Sequence, residues 1–148
     1  MLRIIAVSDS FSHFDEAIKE YIKRMPDLKI DLLKPEKGEI NSIIEKETLK
    51  IKDFLKKKKG YNIYLDIPAK QFSTKELYNL VENKSINYGD INFIIGGAYG
   101  IKEGIIDELI NERLSLSKMT LPHSMALLFL LEQIYRIRSI KSGSGYHH

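Results

Sequence analysis

Apolar and polar positions alternate between two periods along this chain, and the alternation predicts strand and helix in turn. Residues 2–8 form a short apolar run that reads as a strand, and Ile30–Leu33, Tyr61–Asp66, Ile91–Ile95 and 114–117 read the same way. Between the first two, Phe14, Ala17, Ile18, Tyr21, Ile22 and Met25 fall at helical spacing, with Ser12 and Asp15 placed as a capping box. Ile40, Ile43, Ile44, Ile51, Phe54 and Leu55 mark a long helix that ends near Gly60. Ser73 and Glu76 form a second capping box, opening a helix with Leu77, Leu80 and Val81 inward. Residues 101–112 are expected to be helical, and Pro122 is expected as the first residue of a final helix.

Strands separated by helices imply an α/β domain with a mostly parallel sheet of five to six strands and helices on both faces. Ile91–Ile95 is apolar at nearly every position, as a strand covered on both sides should be. The 148 residues show no repeat, low-complexity segment or boundary, so residues 1–148 are expected to form one domain. In the final helix, Met125 to Leu131 is apolar all the way round. One face would pack on the sheet. The other would be covered by a second subunit or sandwiched within the monomer, and a homodimer through this helix is the favoured expectation.

Composition removes several classes of function. There is no cysteine, so no disulfide framework or cysteine zinc site is available, and no acidic ligand cluster argues for a metal. No run approaches the roughly 20 apolar residues of a membrane span. The N-terminal stretch turns polar too early for a signal peptide, so a cytoplasmic protein is expected. A net charge of +3 is uninformative, but from Arg113 onward five Lys/Arg residues face the single acid Glu132. Arg136, Arg138 and Lys141 either attract phosphate or complement a helix C-terminus. The run Lys56–Lys59 reads as a solvated helix end.

The chemistry concentrates in two loops. Four of the nine glycines lie between residues 96 and 104, where Ile94-Ile95-Gly96-Gly97-Ala98-Tyr99-Gly100 empties a buried strand into a turn. Glycines there let the backbone approach a ligand closely. The segment lacks the lysine of a P-loop, and the first strand lacks the dinucleotide glycine fingerprint. The second loop, Leu116-Ser117-Lys118-Met119-Thr120-Leu121-Pro122-His123, offers hydroxyls between apolar walls. Leu65 would reach the same crevice if the third, fourth and fifth strands are neighbours. Such walls with few polar groups suit an aromatic base of modest charge better than a triphosphate.

Taken together, the glycine turn, the 116–123 loop, the helix carrying Glu132-Gln133 and Tyr135-Arg136, and the ending Tyr146-His147 resemble the RlmH family. These are SPOUT-class 23S rRNA pseudouridine N3-methyltransferases. Glu20-Tyr21, Arg24 and Leu65-Asp66-Ile67-Pro68 with Lys70 fit as well, and the resemblance covers essentially the whole chain. It implies the α/β-knot fold, with a C-terminal trefoil knot holding S-adenosylmethionine and no metal. By position, Leu65, Gly96, Gly100 and Leu116, Ser117, Lys118, Met119, Thr120 and Leu121 would bind that cofactor. Methyl would pass to N3 of a pseudouridine in the helix 69 loop of 23S rRNA on the ribosome. Arg136, Arg138, Lys141, Tyr146 and His147 would contact the RNA, with His147 and Tyr146 as the catalytic pair. One subunit's tail could serve the other's cofactor site, and His123 would orient its loop. The family commonly ends in Lys or Arg, and this chain ends in His148. The alternative is a non-catalytic, dimeric ribosome-binding module of the same fold.

Overall fold

The computed structural model describes residues 1–147; His148 lies outside them. In chain order the elements are β1 (Leu2–Val7), α1 (Asp15–Arg24), β2 (Lys29–Leu33), α2 (Ile40–Lys57), β3 (Tyr61–Leu65), α3 (Thr74–Tyr88), β4 (Ile91–Ile95), β5 (Glu112–Leu114) and α4 (His123–Ser142). The five strands form one sheet in the order β2-β1-β4-β3-β5, and every pairing is parallel. β3 thus lies between β4 and β5, the adjacency the sequence reading required.

Alternation along the central strands divides the core in two. Ile4, Ala6, Ile63, Phe93 and Ile95 point to the face packed by α1, α3 and α4. Ile5, Val7, Tyr64 and Ile94 point to the other, where Ile51 and Leu55 of α2 meet Ile106. Strands buried on both faces read as continuous apolar runs for this reason. At the amino ends of β3 and β4, the paired Asn62 and Asn92 are also buried. The Asn92 amide donates to Asn62 Oδ1 and to the Lys58 carbonyl, and the Asn62 amide donates to the Leu109 carbonyl. These bonds tie the sheet to the ends of its connections, away from the strands' carboxyl edge.

Four local expectations need correction. The chain makes a 3-10 turn at Ser12–Phe14 before α1, with Ser12 at φ 52°, so Ser12 lies too early to cap the helix and no side-chain cap is formed. The stretch 101–112 is not a helix. Gly104 takes φ 89°, its N–H donates to the Asp107 carboxylate, and only Asp107–Leu109 makes a 3-10 turn. The apolar residues of that stretch still cover the second face as an irregular strap, which is why their spacing looked helical. The last strand is Glu112–Leu114, not 114–117, because Ser115 turns away after a single bridge to Gln71. Pro122 is the residue before α4 rather than its first, though its carbonyl accepts the Ala126 N–H. The Ser73–Glu76 capping box is present with both reciprocal bonds.

Candidate functional site

Parallel register brings the carboxyl ends of β3, β4 and β5 to one edge of the sheet, with Tyr64 opposite Ile94 and Leu65 opposite Leu114. Open parallel sheets bind ligands at that edge. The loops leaving these strands enclose a cavity of about 260 Å³. Leu65, Gly96, Gly100, Leu116, Ser117, Met119, Thr120 and Leu121 all line it, joined by Tyr64, Asp66 to Pro68, Gly97, Ala98, His123 and Ala126. Of the nine residues assigned to the cofactor, only Lys118 is not in the lining; its side chain is exposed.

Short hydrogen bonds shape the loops. Ser115 Oγ donates to the Ser117 carbonyl, and Ser117 Oγ accepts the Met119 N–H, so both hydroxyls fold the loop on itself. The Ser115 N–H donates to Lys70, and the Asp66 N–H donates to Leu114, joining the two walls. In the glycine turn the Gly100 N–H donates to Gly97, and Gly100 takes φ 80°, a region an L side chain resists. At Gly97 there is no room for any Cβ, which would overlap Glu47 Oε1.

Electrostatics at the rim centre on Arg113 of β5. Its guanidinium bonds Asp66 at 3.0 Å and Glu103 at 3.0 and 3.2 Å, and approaches Asp107. Glu103 first, and then Asp66, hold it more firmly charged than an ordinary arginine. The Asp66 carboxylate in the lining therefore has a fixed cationic partner, which it shares with Glu103 and Asp107. Tyr64, against the same rim, has its hydroxyl pushed up to about 12 by burial and by the charge of Asp66.

The raised Tyr64 value has a measurable consequence. Below the ordinary tyrosine value of 10.0, folded and unfolded chains both keep the proton, so Tyr64 contributes no pH dependence. Between that value and about 12, only the unfolded chain releases it, and stability falls as pH rises. The loss is on the order of 2 kcal/mol. Urea unfolding across this window should show a steeper alkaline decline for the native chain than for Tyr64→Phe. Equal slopes would refute the assignment.

The C-terminal residues gather elsewhere. Tyr146 packs edge-on against Tyr135 at 4.8 Å, its hydroxyl donates to Glu132, and Arg136 lies 5.0 Å over its ring. His147 Nδ1 is 3.4 Å from Arg136. Neither Tyr146 nor His147 lines the cavity of its own chain. The expected phosphate contacts have carboxylate partners within the chain: Arg136 with Glu132, Arg138 with Asp27 and Lys141 with Glu82. Along α4, Leu127, Leu130, Leu131, Ile134 and Ile137 are buried, whereas Met125 is 37% and Phe129 41% exposed. The all-round apolar sequence thus has one face inward and one uncovered.

The profile of the family described as "Predicted SPOUT methyltransferase" matches residues 1–147. The chain belongs to this family. Among its relatives are proteins named "Ribosomal RNA large subunit methyltransferase H" from several bacteria. That of Fusobacterium nucleatum subsp. nucleatum is 37% identical over 141 residues, covering 91% of this chain and 90% of its own. That of Thermosipho melanesiensis is 35% identical over 153 residues, 99% of each chain. That of Streptococcus suis is 34% identical over 146 residues, 91% of each. The five-stranded parallel α/β architecture agrees with membership of the SPOUT family.

The sequence passes over Tyr64, marks Gly97 only as part of the glycine turn, and gives His123 only a loop-orienting role, although all three line the cavity. Tyr64 could have been found from its place beside Leu65 at a strand's carboxyl end. Glu47 was missed as well. It falls in register with Ile43, Ile51 and Leu55 on the apolar stripe of α2, where a carboxylate is out of place.

Proposed function

We propose that this chain is an S-adenosylmethionine-dependent methyltransferase acting on N3 of a pseudouridine in the helix 69 loop of 23S rRNA, on the cytoplasmic ribosome. The observation that carries the reading is convergence. Eight residues assigned to the cofactor from the resemblance, drawn from three separated segments, line one cavity at the carboxyl edge of the sheet. The names of the relatives favour large-subunit ribosomal RNA as the substrate.

The residues fit the cofactor. Leu65, Leu116 and Leu121 give apolar walls for an adenine, and the glycine turn leaves backbone within reach of a ligand. Asp66, held by Arg113 together with Glu103 and Asp107, keeps the rim polar. When bound, the cofactor supplies a methyl group on a positively charged sulfur, with a neutral thioether to depart. The chain's task is then to align the acceptor nitrogen and exclude competing water, and positioning is the main source of acceleration.

The same reading includes a homodimer through α4, supported by the uncovered Met125 and Phe129. It includes the trefoil crossing of the family, and the partner's Tyr146 and His147 at the cavity mouth. His147 is the residue assigned to assist loss of the N3 proton. Arg136, Arg138 and Lys141 would share their charge with RNA phosphates. Radiolabelled methyl transfer onto purified ribosomes, followed by mapping of the modified nucleotide, tests the whole reading. Label at one pseudouridine N3 of helix 69 is the expected result. Label elsewhere, or none, would overturn it.

A further inference from the structure

The glycine turn after β4 closes as a tight hairpin. Gly97 and Gly100 pair as a single antiparallel bridge, the Gly100 N–H donating to the Gly97 carbonyl at 3.0 Å. Ala98 and Tyr99 form its two-residue tip. The stem is fixed on α2 at both ends. Glu47, only 3% exposed, packs against Gly97, and the buried Thr48 hydroxyl accepts the Lys102 N–H at 2.8 Å while donating to the Ile44 carbonyl. A stem held in this way leaves the tip little freedom to fold inward.

Tyr99, at that tip, is 52% exposed, more than any other tyrosine or phenylalanine among the described residues. Tyr88, the next, packs edge-on against Tyr61. The Tyr99 ring has no aromatic or cationic neighbour among the described residues. It forgoes the burial that makes aromatic side chains stabilising. Its neighbours Ala98 and Gly100 line the first cavity, whereas Tyr99 lines an adjoining cavity of about 360 Å³ that shares Gly97, Ala98 and His123 with it. The ring thus stands one wall away from the methyl donor, out of place for the reacting base and well placed for the next one. Lys102, just past the turn, and Lys118, beside the exposed Met119, stand on the loops that wall the first cavity. Both are exposed, and neither has a carboxylate partner among the described residues.

We propose that the Tyr99 ring is a stacking platform for the unpaired base next to the target nucleotide, with Lys102 and Lys118 meeting phosphates of the same strand. This rests on the function proposed above. Loops of RNA are recognised by splayed bases laid on aromatic rings, with cations along the backbone. The surroundings of the ring suit a base better than a phosphate. The second cavity carries the hydroxyls of Ser8 and Ser12 and the carboxylates of Asp9 and Glu36, and no lysine or arginine. No bond is made or broken there. Tyr99 is a positioning residue: by holding one nucleotide still, it fixes where the adjoining nucleotide enters the first cavity. Every base has a π-face, so the ring holds its base without reading sequence.

Tyr99→Leu is the informative variant, because leucine keeps apolar bulk and removes the π-face. In methylation of ribosomes at saturating S-adenosylmethionine, it should raise KM for ribosomes roughly tenfold to a hundredfold and change kcat far less. Tyr99→Phe and Tyr99→Trp should keep a KM near native. Calorimetry should give all three the native affinity for S-adenosylmethionine. A native KM in Tyr99→Leu, an equal loss in Tyr99→Phe, or a matching loss of cofactor affinity would overturn the proposal. The contact itself is read by irradiating ribosomes with protein that carries p-azidophenylalanine in place of Tyr99. The adduct should map to a nucleotide adjoining the one that native protein methylates. No adduct, or one on the partner subunit or elsewhere in the RNA, would also overturn it. Failure of the native protein to methylate ribosomes would instead count against the function itself.

Discussion

Gly96→Leu is expected to weaken S-adenosylmethionine binding by a factor on the order of a hundred, equivalent to roughly 2.7 kcal/mol, in calorimetry on a protein that still unfolds cooperatively. A Cβ at residue 96 would stand 3.2 Å from the Tyr64 hydroxyl, 3.4 Å from the Tyr64 ring and 3.5 Å from Ile101. A methyl group there is tight but bearable. The further carbons of leucine must either displace Tyr64, which is buried and lines the cavity, or turn into the space a ligand needs. A cavity of about 260 Å³ has little room for either. Gly96→Ala should therefore show a much smaller loss, and the contrast separates steric exclusion from general damage. Full affinity in Gly96→Leu would mean that the cofactor sits elsewhere.

Two of the three strands bordering this cavity, β3 and β4, were legible because burial on both faces writes them as apolar runs, and Ile91–Ile95 is buried throughout. β5, Glu112-Arg113-Leu114, carries no such run and was placed two residues late. The turn after β4 was legible because its glycines are needed: Gly97 abuts Glu47, and Gly100 takes a left-handed conformation. The strap 101–110 was not. Ile101, Ile105 and Leu109 repeat as a helix would, but period alone does not register that Gly104 adopts positive φ or that the Asp107 carboxylate takes up its N–H. Ser12 failed for a related reason, since a capping pattern does not reveal an intervening 3-10 turn.

Charge was the least legible property. Sequence counts Arg136, Arg138 and Lys141 as a basic excess, whereas folding brings Asp27 and Glu82 from distant segments to meet two of them. Any phosphate must share those cations with carboxylates. The expected outcome is a modest salt dependence of RNA affinity rather than that of an open basic groove.

Deleting the chain from Tyr146 onward is expected to leave S-adenosylmethionine affinity nearly unchanged and to reduce methyl transfer by a factor on the order of 10³. Within one chain, Tyr146 is anchored to Tyr135 and Glu132, and neither it nor His147 touches the cavity of its own subunit. Glu132 lies nine residues beyond His123 on α4, about 13 Å along the helix axis. Removing the tail therefore takes nothing from the cofactor site in cis. On the dimeric reading it removes what one subunit lends to the other. Mixing distinguishes the two arrangements. Tail-deleted chains retain a sound cavity, and Gly96→Leu chains retain a sound tail. If tails act across a two-fold interface, exchange of subunits rebuilds a composite site in each heterodimer, and about a quarter of native turnover should return. If tails act on their own cavities, every chain in the mixture stays defective and no activity returns. Sedimentation of the mixture must show dimers that exchange. Activity restored in proportion to the heterodimers would fix both the assembly and the route by which the tail reaches the reacting nitrogen.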